Sequence, residues 1–480
     1  MNESNLSRRN FLKASALAGV GASIGGVSQS AEPLAPSTAI DSLADLSQTR
    51  PRPAGQKPVN NLTTKPLARI RVAVIGLNRG LTHVESCLGI EFAEVVAVCD
   101  WHNERAVHAA DVCEKKSGKR PAIYGGTENI WEQMVERDDI DAVYIATPWE
   151  WHVPMAVRTM ERGKCAFVEV AAAVTVDDCW RLVDTSERTQ RHCVLLENCC
   201  YGENELFVLN LARQGVFGDL LHAECAYIHD LRSMLFSLGT EGDWRRNYHW
   251  EYNGNLYPTH GLGPVAQYLG VGRGDQFKYL VSASSPERSL TKYRDKHQPN
   301  GGKHAAEKYI CGDMNTSILK TELGRTIMIQ HDVVLPRPYS RINALCGTDA
   351  TFFDYPPRLA IDNPKSYGLN SPGAHEWLAD ADLAIMRDKF THPLWKKLAE
   401  SAKGGGHGGM DFVMSWRLLD CLRQGITPDS VVYDAAAWSC IIETSVRSVA
   451  TGSMPVNIPD FTRGLWKTMK PLGIAEKARI

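Results

Sequence analysis

Two hydrophobic patterns alternate along the first half of the chain. Short, continuous apolar runs rich in β-branched residues read as strands buried on both faces. They are Ala68-Arg-Ile-Arg-Val-Ala-Val-Ile75, Ala93-Glu-Val-Val-Ala-Val-Cys99, Ala142-Val-Tyr-Ile-Ala146, Ala166-Phe-Val-Glu169 and Cys193-Val-Leu-Leu196. Helical spacing follows the first of them, at Val84, Cys87 and Leu88. Strands alternating with helices predict a doubly wound α/β domain of the Rossmann kind over residues 68–198. After Tyr201 the pattern changes to an amphipathic helix and then to strands such as Leu221-His-Ala-Glu-Cys-Ala-Tyr227 and Thr326-Ile-Met-Ile-Gln330. Segregated strands of this kind predict a second, α+β domain over residues 199–480 with an open, mostly antiparallel sheet.

The first strand ends at Gly76, and the turn Gly76-Leu-Asn-Arg-Gly80 leads into the helix. The second strand ends on Asp100, where an acid would hold a ribose diol. The glycine fingerprint is incomplete, with Asn78 and Leu81 at two of its positions and Gly80 one place early. Strand, turn, helix, strand and acid together still point to a dinucleotide, and Asp100 favours NAD because it would repel a 2′-phosphate. The loop Thr147-Pro-Trp-Glu-Trp-His152 follows the strand at 142–146, at the end that faces the ligand crevice. Its residues either line a cofactor or simply enter a helix.

Composition narrows the class. The chain has 480 residues and a formal net charge of −2, so no global field invites nucleic acid or an anionic membrane. Beyond the N-terminal stretch, no apolar run is long enough to span a bilayer. The thirteen cysteines show no CxxC pair or zinc pattern and read as buried free thiols. No HExxH or Cys/His cluster implies a metal. Ser7-Arg-Arg-Asn-Phe-Leu-Lys13, the weakly apolar segment that follows and Ser28-Gln-Ser30 read as a twin-arginine export signal over residues 1–30. Such a signal implies the twin-arginine machinery as a partner and a periplasmic or secreted destination. Residues 31–67, rich in Pro, Ser and Thr, read as a linker.

Several strings make the chain recognisable. Gly163-Lys-Cys-Ala-Phe-Val-Glu-Val170 resembles the glucose–fructose oxidoreductase and inositol dehydrogenase superfamily, although Val170-Ala171 stands where dehydrogenases of that group carry Lys-Pro. Pro148-Trp-Glu-Trp-His152, Leu196-Glu-Asn-Cys-Cys-Tyr201, Tyr227-Ile-His-Asp-Leu-Arg232, Tyr257-Pro-Thr-His-Gly-Leu-Gly-Pro264, Arg337-Pro-Tyr339, Gly405-Gly-His-Gly-Gly-Met-Asp411 and Ile458-Pro-Asp-Phe461 resemble one branch of it. That branch is the NAD-dependent α-N-acetylgalactosaminidases of glycoside hydrolase family 109. The resemblance implies cofactor contacts at Asn78, Arg79, Asp100, Trp149, Glu150, Trp151, His152, Glu169, Val170, Asn198 and Tyr257. It implies substrate contacts at Tyr227, Arg245, Tyr257, Pro258, Thr259, His260 and Tyr339.

The residues themselves leave some roles open. Pro258 and the glycines after it fix the path of Tyr257-Pro-Thr-His260, so a phenol and an imidazole share one face. A buried histidine at a helix start would use the same residues; with the resemblance, Tyr257 and His260 become the catalytic candidates. His229 and Asp230 are either site residues or a self-capping turn. The run Gly404-Gly-Gly-His-Gly-Gly409 is either a lid carrying His407 or a flexible connection, and Trp244, Trp250 and Trp377 are candidates for stacking on a sugar. The activity implied is cleavage of terminal α-linked N-acetylgalactosamine through oxidation at C3, elimination, water addition and reduction. Its rivals are a periplasmic NAD-dependent sugar dehydrogenase and a non-catalytic NAD-binding protein that recognises glycans.

Overall fold

A computed structural model describes residues 48–297 and 302–475. The export signal and the first part of the linker lie outside the described residues. Six strands form the first sheet: β1 (Ile70–Ile75), β2 (Ala93–Asp100), β3 (Ala122–Gly125), β4 (Ala142–Ile145), β5 (Cys165–Val168) and β6 (Cys193–Leu195). Their order is β3-β2-β1-β4-β5-β6 and every pairing is parallel. Five of them are the apolar runs read from sequence. The short β3 was not, because its four residues are all only half-buried at the sheet edge. The strand order reverses between β1 and β4, which opens a crevice beyond Ile75 and Ile145.

The second sheet has eight strands: β7 (Leu220–Ile228), β8 (Phe277–Ser284), β9 (Asn315–Thr321), β10 (Thr326–Asp332), β11 (Ala344–Gly347), β12 (Ala350–Phe353), β13 (Arg358–Ile361) and β14 (Val456–Asn457). The order is β13-β12-β11-β7-β10-β9-β8-β14, antiparallel throughout except for β7 beside β10. Helices Thr259–Leu269 and Ile441–Ala450 cover the inner face against β7 and β8. Gly261 sets the depth of the first contact: a Cβ there would stand 2.6 Å from the backbone nitrogen of Ala226. This close approach brings the start of the helix, with Tyr257 and His260, beside Tyr227 at the end of β7.

The two halves share one hydrophobic core, continuous from Ile70 in the first sheet to Leu345 in the second. Helix Met410–Gln424 packs on helix Gly80–Leu88, and helix Val432–Ser439 on helix Val176–Thr189. The chain's last part therefore returns to the nucleotide half, although the sequence reading gave all of it to the second domain.

Residues 48–67, assigned to the linker, form no helix or strand but are tied down as a strap. The backbone N–H groups of Val59 and Thr64 donate to the Tyr433 hydroxyl and the Gly425 carbonyl. Arg52 pairs with the buried carboxylate of Glu187, which also accepts from Arg463 and Tyr433. All thirteen cysteines are free thiols, and all but Cys346 are buried.

Gly261→Ala should push the helix off β7, cost about 1–3 kcal/mol of stability as an overpacked contact does, and misplace Tyr257 and His260. Denaturant unfolding and turnover should both register the change. Wild-type values for the two would mean that the close approach does not set the site.

Candidate active site

A cavity of about 610 Å³ opens at the carboxyl ends of β1, β2 and β4 and runs towards the end of β7. Its nucleotide end begins at Gly76, whose φ of +83° and close approach to Ala146 (a Cβ would lie 2.5 Å from the carbonyl oxygen) exclude a side chain. Asp100 is buried; one carboxylate oxygen accepts from the Leu77 N–H at 2.7 Å and the other from the His102 N–H at 2.9 Å. The acid thus braces the turn as well as facing the cavity. Gly80 does the work of the displaced third glycine, since a Cβ there would sit 2.9 Å from Val74 Cγ1.

Beside the turn lies a buried network of charge. Arg79 donates through Nε to Glu169 (2.8 Å) and through both terminal nitrogens to Asp411 (2.8 and 2.9 Å). His83 Nε2 lies 2.8 Å from the same Glu169 oxygen, and Asn198 Nδ2 donates to Asp411 at 2.8 Å. Burial pushes both carboxyls up, but Arg79, with His83 at Glu169 and His407 at Asp411, outweighs it and holds them well below the usual range. Both are therefore ionised acceptors.

The other end of the cavity is aromatic. Tyr257 stacks on Tyr227 with ring centroids 4.2 Å apart, and the guanidinium of Arg245 lies 4.6 Å from the Tyr257 ring. Burial raises both phenols above their ordinary value, an effect Arg245 only partly offsets, so each is a neutral hydrogen-bond donor. His260 Nδ1 lies 2.7 Å from Glu197 Oε1. The buried carboxylate accepts there, so Nδ1 carries the hydrogen and Nε2 is left as the free basic nitrogen. Glu197 thus orients the imidazole, and the dyad can take a proton and return it.

Most of the residues expected from sequence meet on this cavity. Asn78, Arg79, Asp100, Glu150, Trp151, His152, Glu169, Val170, Asn198, Tyr227, Arg245, Tyr257 and His260 all border it. Trp149 does not. It is buried, and its indole donates to the Val170 carbonyl at 2.9 Å. Pro258 and Thr259 lie behind the wall in the first turn of the helix, and Tyr339 stands off it, edge-on to His229 and bonded to Arg341. Trp244 borders the cavity, whereas Trp250 and Trp377 do not. His407 borders it too.

Sequence reasoning missed Glu197, Asp411 and His83, as well as Trp101, Gly239, Thr240, Glu241, Asp243 and Asn247 on the cavity wall. Glu197 and Asp411 stand inside the recognised strings, but only a partner distant in the chain gives either a role. Arg105 donates to the Gly239 carbonyl at 2.8 Å and joins the two sides of the crevice. Glu197, Cys199 and His260 bring one ligand atom each within 4.8 Å of one another. Arg341 Nη1, 3.2 Å from Cys199 Sγ, sets a fixed positive charge where a cation would bind.

Comparison with known proteins places the chain. Residues 201–468 match the family described as glycosyl hydrolase 109, C-terminal domain, and residues 70–196 match the oxidoreductase family, NAD-binding Rossmann fold. Residues 5–25 match the signal sequence of the twin-arginine translocation pathway. A glycosyl hydrolase family 109 protein of Shewanella baltica is 47% identical over 473 residues, 98% of this chain and 99% of that protein. An alpha-N-acetylgalactosaminidase of Shewanella oneidensis is 45% identical over the same length, again 98% of this chain and 99% of that one. In fold the chain is similar to levoglucosan dehydrogenase in complex with NADH and levoglucosan (TM-score 0.60, 18% identity, 82% of this chain and 100% of that one). It is also similar to the WlbA dehydrogenase of Bordetella pertussis in complex with NADH and UDP-GlcNAcA (TM-score 0.54, 16% identity, 82% and 99%).

Burial, with help from neighbouring arginines, holds His192, His229 and His249 down at about 4. The unfolded chain binds these protons from about pH 6.5 downwards and the folded chain only near 4. Stability should therefore fall as pH drops through that window, by up to about 1.4 kcal/mol per pH unit for each histidine. His249→Gln should flatten the slope of stability against pH between 6 and 4.5. An unchanged slope would show that His249 is not held neutral.

Proposed function

The chain belongs to glycosyl hydrolase family 109, and on that premise we propose that it removes terminal α-linked N-acetylgalactosamine by a redox-assisted elimination. It is an NAD-dependent glycosidase, and its twin-arginine signal marks it as a periplasmic or secreted protein. The residues present fit a dinucleotide. Bare backbone at Gly76 leaves room for the pyrophosphate, and the buried carboxylate of Asp100 faces the ribose position. Asn78, Arg79, Glu150 to His152, Glu169, Val170 and Asn198 would hold the rest. When bound, NAD would supply reversible hydride transfer at C3 of the sugar, and a ketone at C3 would make the hydrogen on C2 acidic.

The protein's side chains do the rest. His260 Nε2 removes the C2 proton, held in place by Glu197 through Nδ1. Tyr257, its phenol neutral, donates to the oxygen at C3 and bridges sugar and cofactor. Arg245 offers a permanent positive charge to the oxygen that gains charge as C2 is deprotonated. Tyr227, stacked on Tyr257 at the aromatic end of the cavity, completes the sugar contacts, whereas Pro258, Thr259 and Tyr339, expected there from sequence, stand off the cavity and act on that sugar only through their neighbours. The glycosidic oxygen leaves, water adds at C1, and the proton returns to C2. This route needs no carboxylate pair flanking the bond, unlike direct glycoside hydrolysis. The observation that carries the reading is His260, held from behind by Glu197, on the wall of the cavity that the dinucleotide residues also line.

Turnover in D₂O should place deuterium at C2 of the released sugar. His260→Ala should keep its fold and its NAD yet lose at least about 100-fold in hydrolysis, the scale of a removed general base. Unlabelled sugar would sink the elimination route, and release of a keto-sugar would mark the chain as a dehydrogenase. The purified protein should also carry NAD, measured by mass spectrometry of the supernatant after denaturation. Recovery of NADP alone would contradict the role given to Asp100.

A further inference from the structure

An enzyme that removes a terminal sugar leaves the rest of the glycan outside its cavity, against the rim. We propose that Tyr355, with Tyr339 beside it, is the surface on which the next sugar of the glycan stacks, a subsite for a neutral hexose aglycone. The assignment rests on the glycosidase reading above and gives that reading its aglycone.

Aromatic rings run in unbroken contact from the cavity to the surface. Tyr257 stacks on Tyr227, and Tyr227 meets His229 edge-on with centroids 4.7 Å apart. His229 meets Tyr339 at 5.1 Å, and Tyr339 meets Tyr355 at 6.0 Å with the rings inclined by 65°. The inner end of this ladder touches the cofactor wall, where the Tyr257 ring lies 5.9 Å from Trp149. Exposure rises outwards: Tyr227 is 6% exposed, Tyr339 42% and Tyr355 36%. A sugar that presents C3 to the cofactor carries its aglycone on C1, directed away from that wall and towards the outer rings. One exposed tyrosine calls for no explanation, but two in edge contact at the end of such a ladder form an apolar corner.

The corner is built, not left over. The buried guanidinium of Arg341 lies against both rings, 5.6 Å from that of Tyr339 and 5.9 Å from that of Tyr355. It donates to the Tyr339 hydroxyl at 3.0 Å and to the buried carboxylate of Glu205. The Arg341 carbonyl accepts from the N–H of Ala226, next to Tyr227, which ties the corner to the cavity. Asp354 accepts from the Tyr355 N–H at 2.7 Å with one oxygen and from Asn204 at 2.8 Å with the other. Its own N–H donates to the Ile342 carbonyl at 3.3 Å. Ile342 and Tyr355 both have left-handed backbones, with φ of +61° and +62°. A β-branched or bulky residue keeps that conformation only where its surroundings over-determine it. Yet neither Tyr339 nor Tyr355 belongs to a hydrophobic core, so what the strain positions is an exposed ring.

The chemistry of the corner names its ligand. The C–H groups at C3, C4 and C5 of a galactose ring make one apolar face, which packs on the negative face of a phenol while the hydroxyls stay in water. Arg341 is already matched by Glu205, so the corner has no spare charge for an acidic sugar. A neutral hexose fits.

Two substrates separate this role from the chemistry: a disaccharide of N-acetylgalactosamine α-linked to galactose, and the methyl α-glycoside of the same terminal sugar. Tyr355→Ala should lower kcat/KM about tenfold on the disaccharide, chiefly through KM, and less than about twofold on the methyl glycoside; tenfold corresponds to about 1.4 kcal/mol of lost stacking. Tyr355→Leu, which keeps bulk against Arg341 without a flat ring, should behave as the alanine variant does. Tyr355→Phe should keep the wild-type ratio between the substrates, because stacking needs the ring and not the hydroxyl. Comparing each variant with wild type cancels the difference in leaving ability between galactose and methanol, and NAD content and melting temperature should stay unchanged. Equal losses on both substrates, or an unchanged ratio in the alanine and leucine variants, would overturn the subsite and leave the activity standing. No release of N-acetylgalactosamine from either substrate by the wild-type protein would overturn the substrate proposed above, and the subsite with it.

Discussion

Arg79 is half-buried in the crevice, with its guanidinium shared between two buried carboxylates: Glu169, at the end of β5, and Asp411, at the start of helix Met410–Gln424. A charge withdrawn from water at such cost persists only if its partners are fixed, and removing one member of a buried pair typically costs about 3–5 kcal/mol. Three distant segments are locked together as a result: the turn after β1, the wall beside the cofactor, and the C-terminal helix that returns across the nucleotide half. The catalytic geometry hangs from this clamp. Asp411 carries His407 and Asn198, and Asn198 adjoins Glu197, which carries His260. The histidines of the site are thus positioned by the same electrostatics that hold the two halves in register.

The clamp also bears on the missing dehydrogenase lysine. Val170 leaves the position after Glu169 without a charge, and Glu169 spends its own on Arg79 and His83. On the opposite side of the cavity burial keeps Tyr227 and Tyr257 protonated, which is why the proposed route gives the base's part to the His260 imidazole.

The fold was legible where physics acts locally. The strand runs from Ile70 to Leu195 are continuous and apolar because helices cover both faces of a parallel sheet, and the change of pattern after Tyr201 marks the second sheet. β3 escaped notice because four half-buried edge residues carry no such pattern. The cavity residues were legible mainly through recognised strings, not through spacing. Glu197 and Asp411 stayed hidden within those strings because each is defined by a partner far away, His260 at 63 positions and Arg79 at 332. Trp149 shows the converse. Its loop points into the crevice, yet its indole is committed to Val170, so position in sequence overstated its access.

The strap of residues 48–67 has a consequence in time. Its anchors include Gly425, Thr427, Tyr433 and Arg463, near the far end of the chain. A ribosome makes residues 48–67 early and those anchors almost last, so the strap can reach Glu187 sooner but completes its seating only when synthesis is all but finished. The segment that joins the export signal to the enzyme is therefore fully docked only on a completed molecule. Order of synthesis, read through these few hydrogen bonds, makes a seated strap a sign that the nucleotide half and its covering helices have already come together.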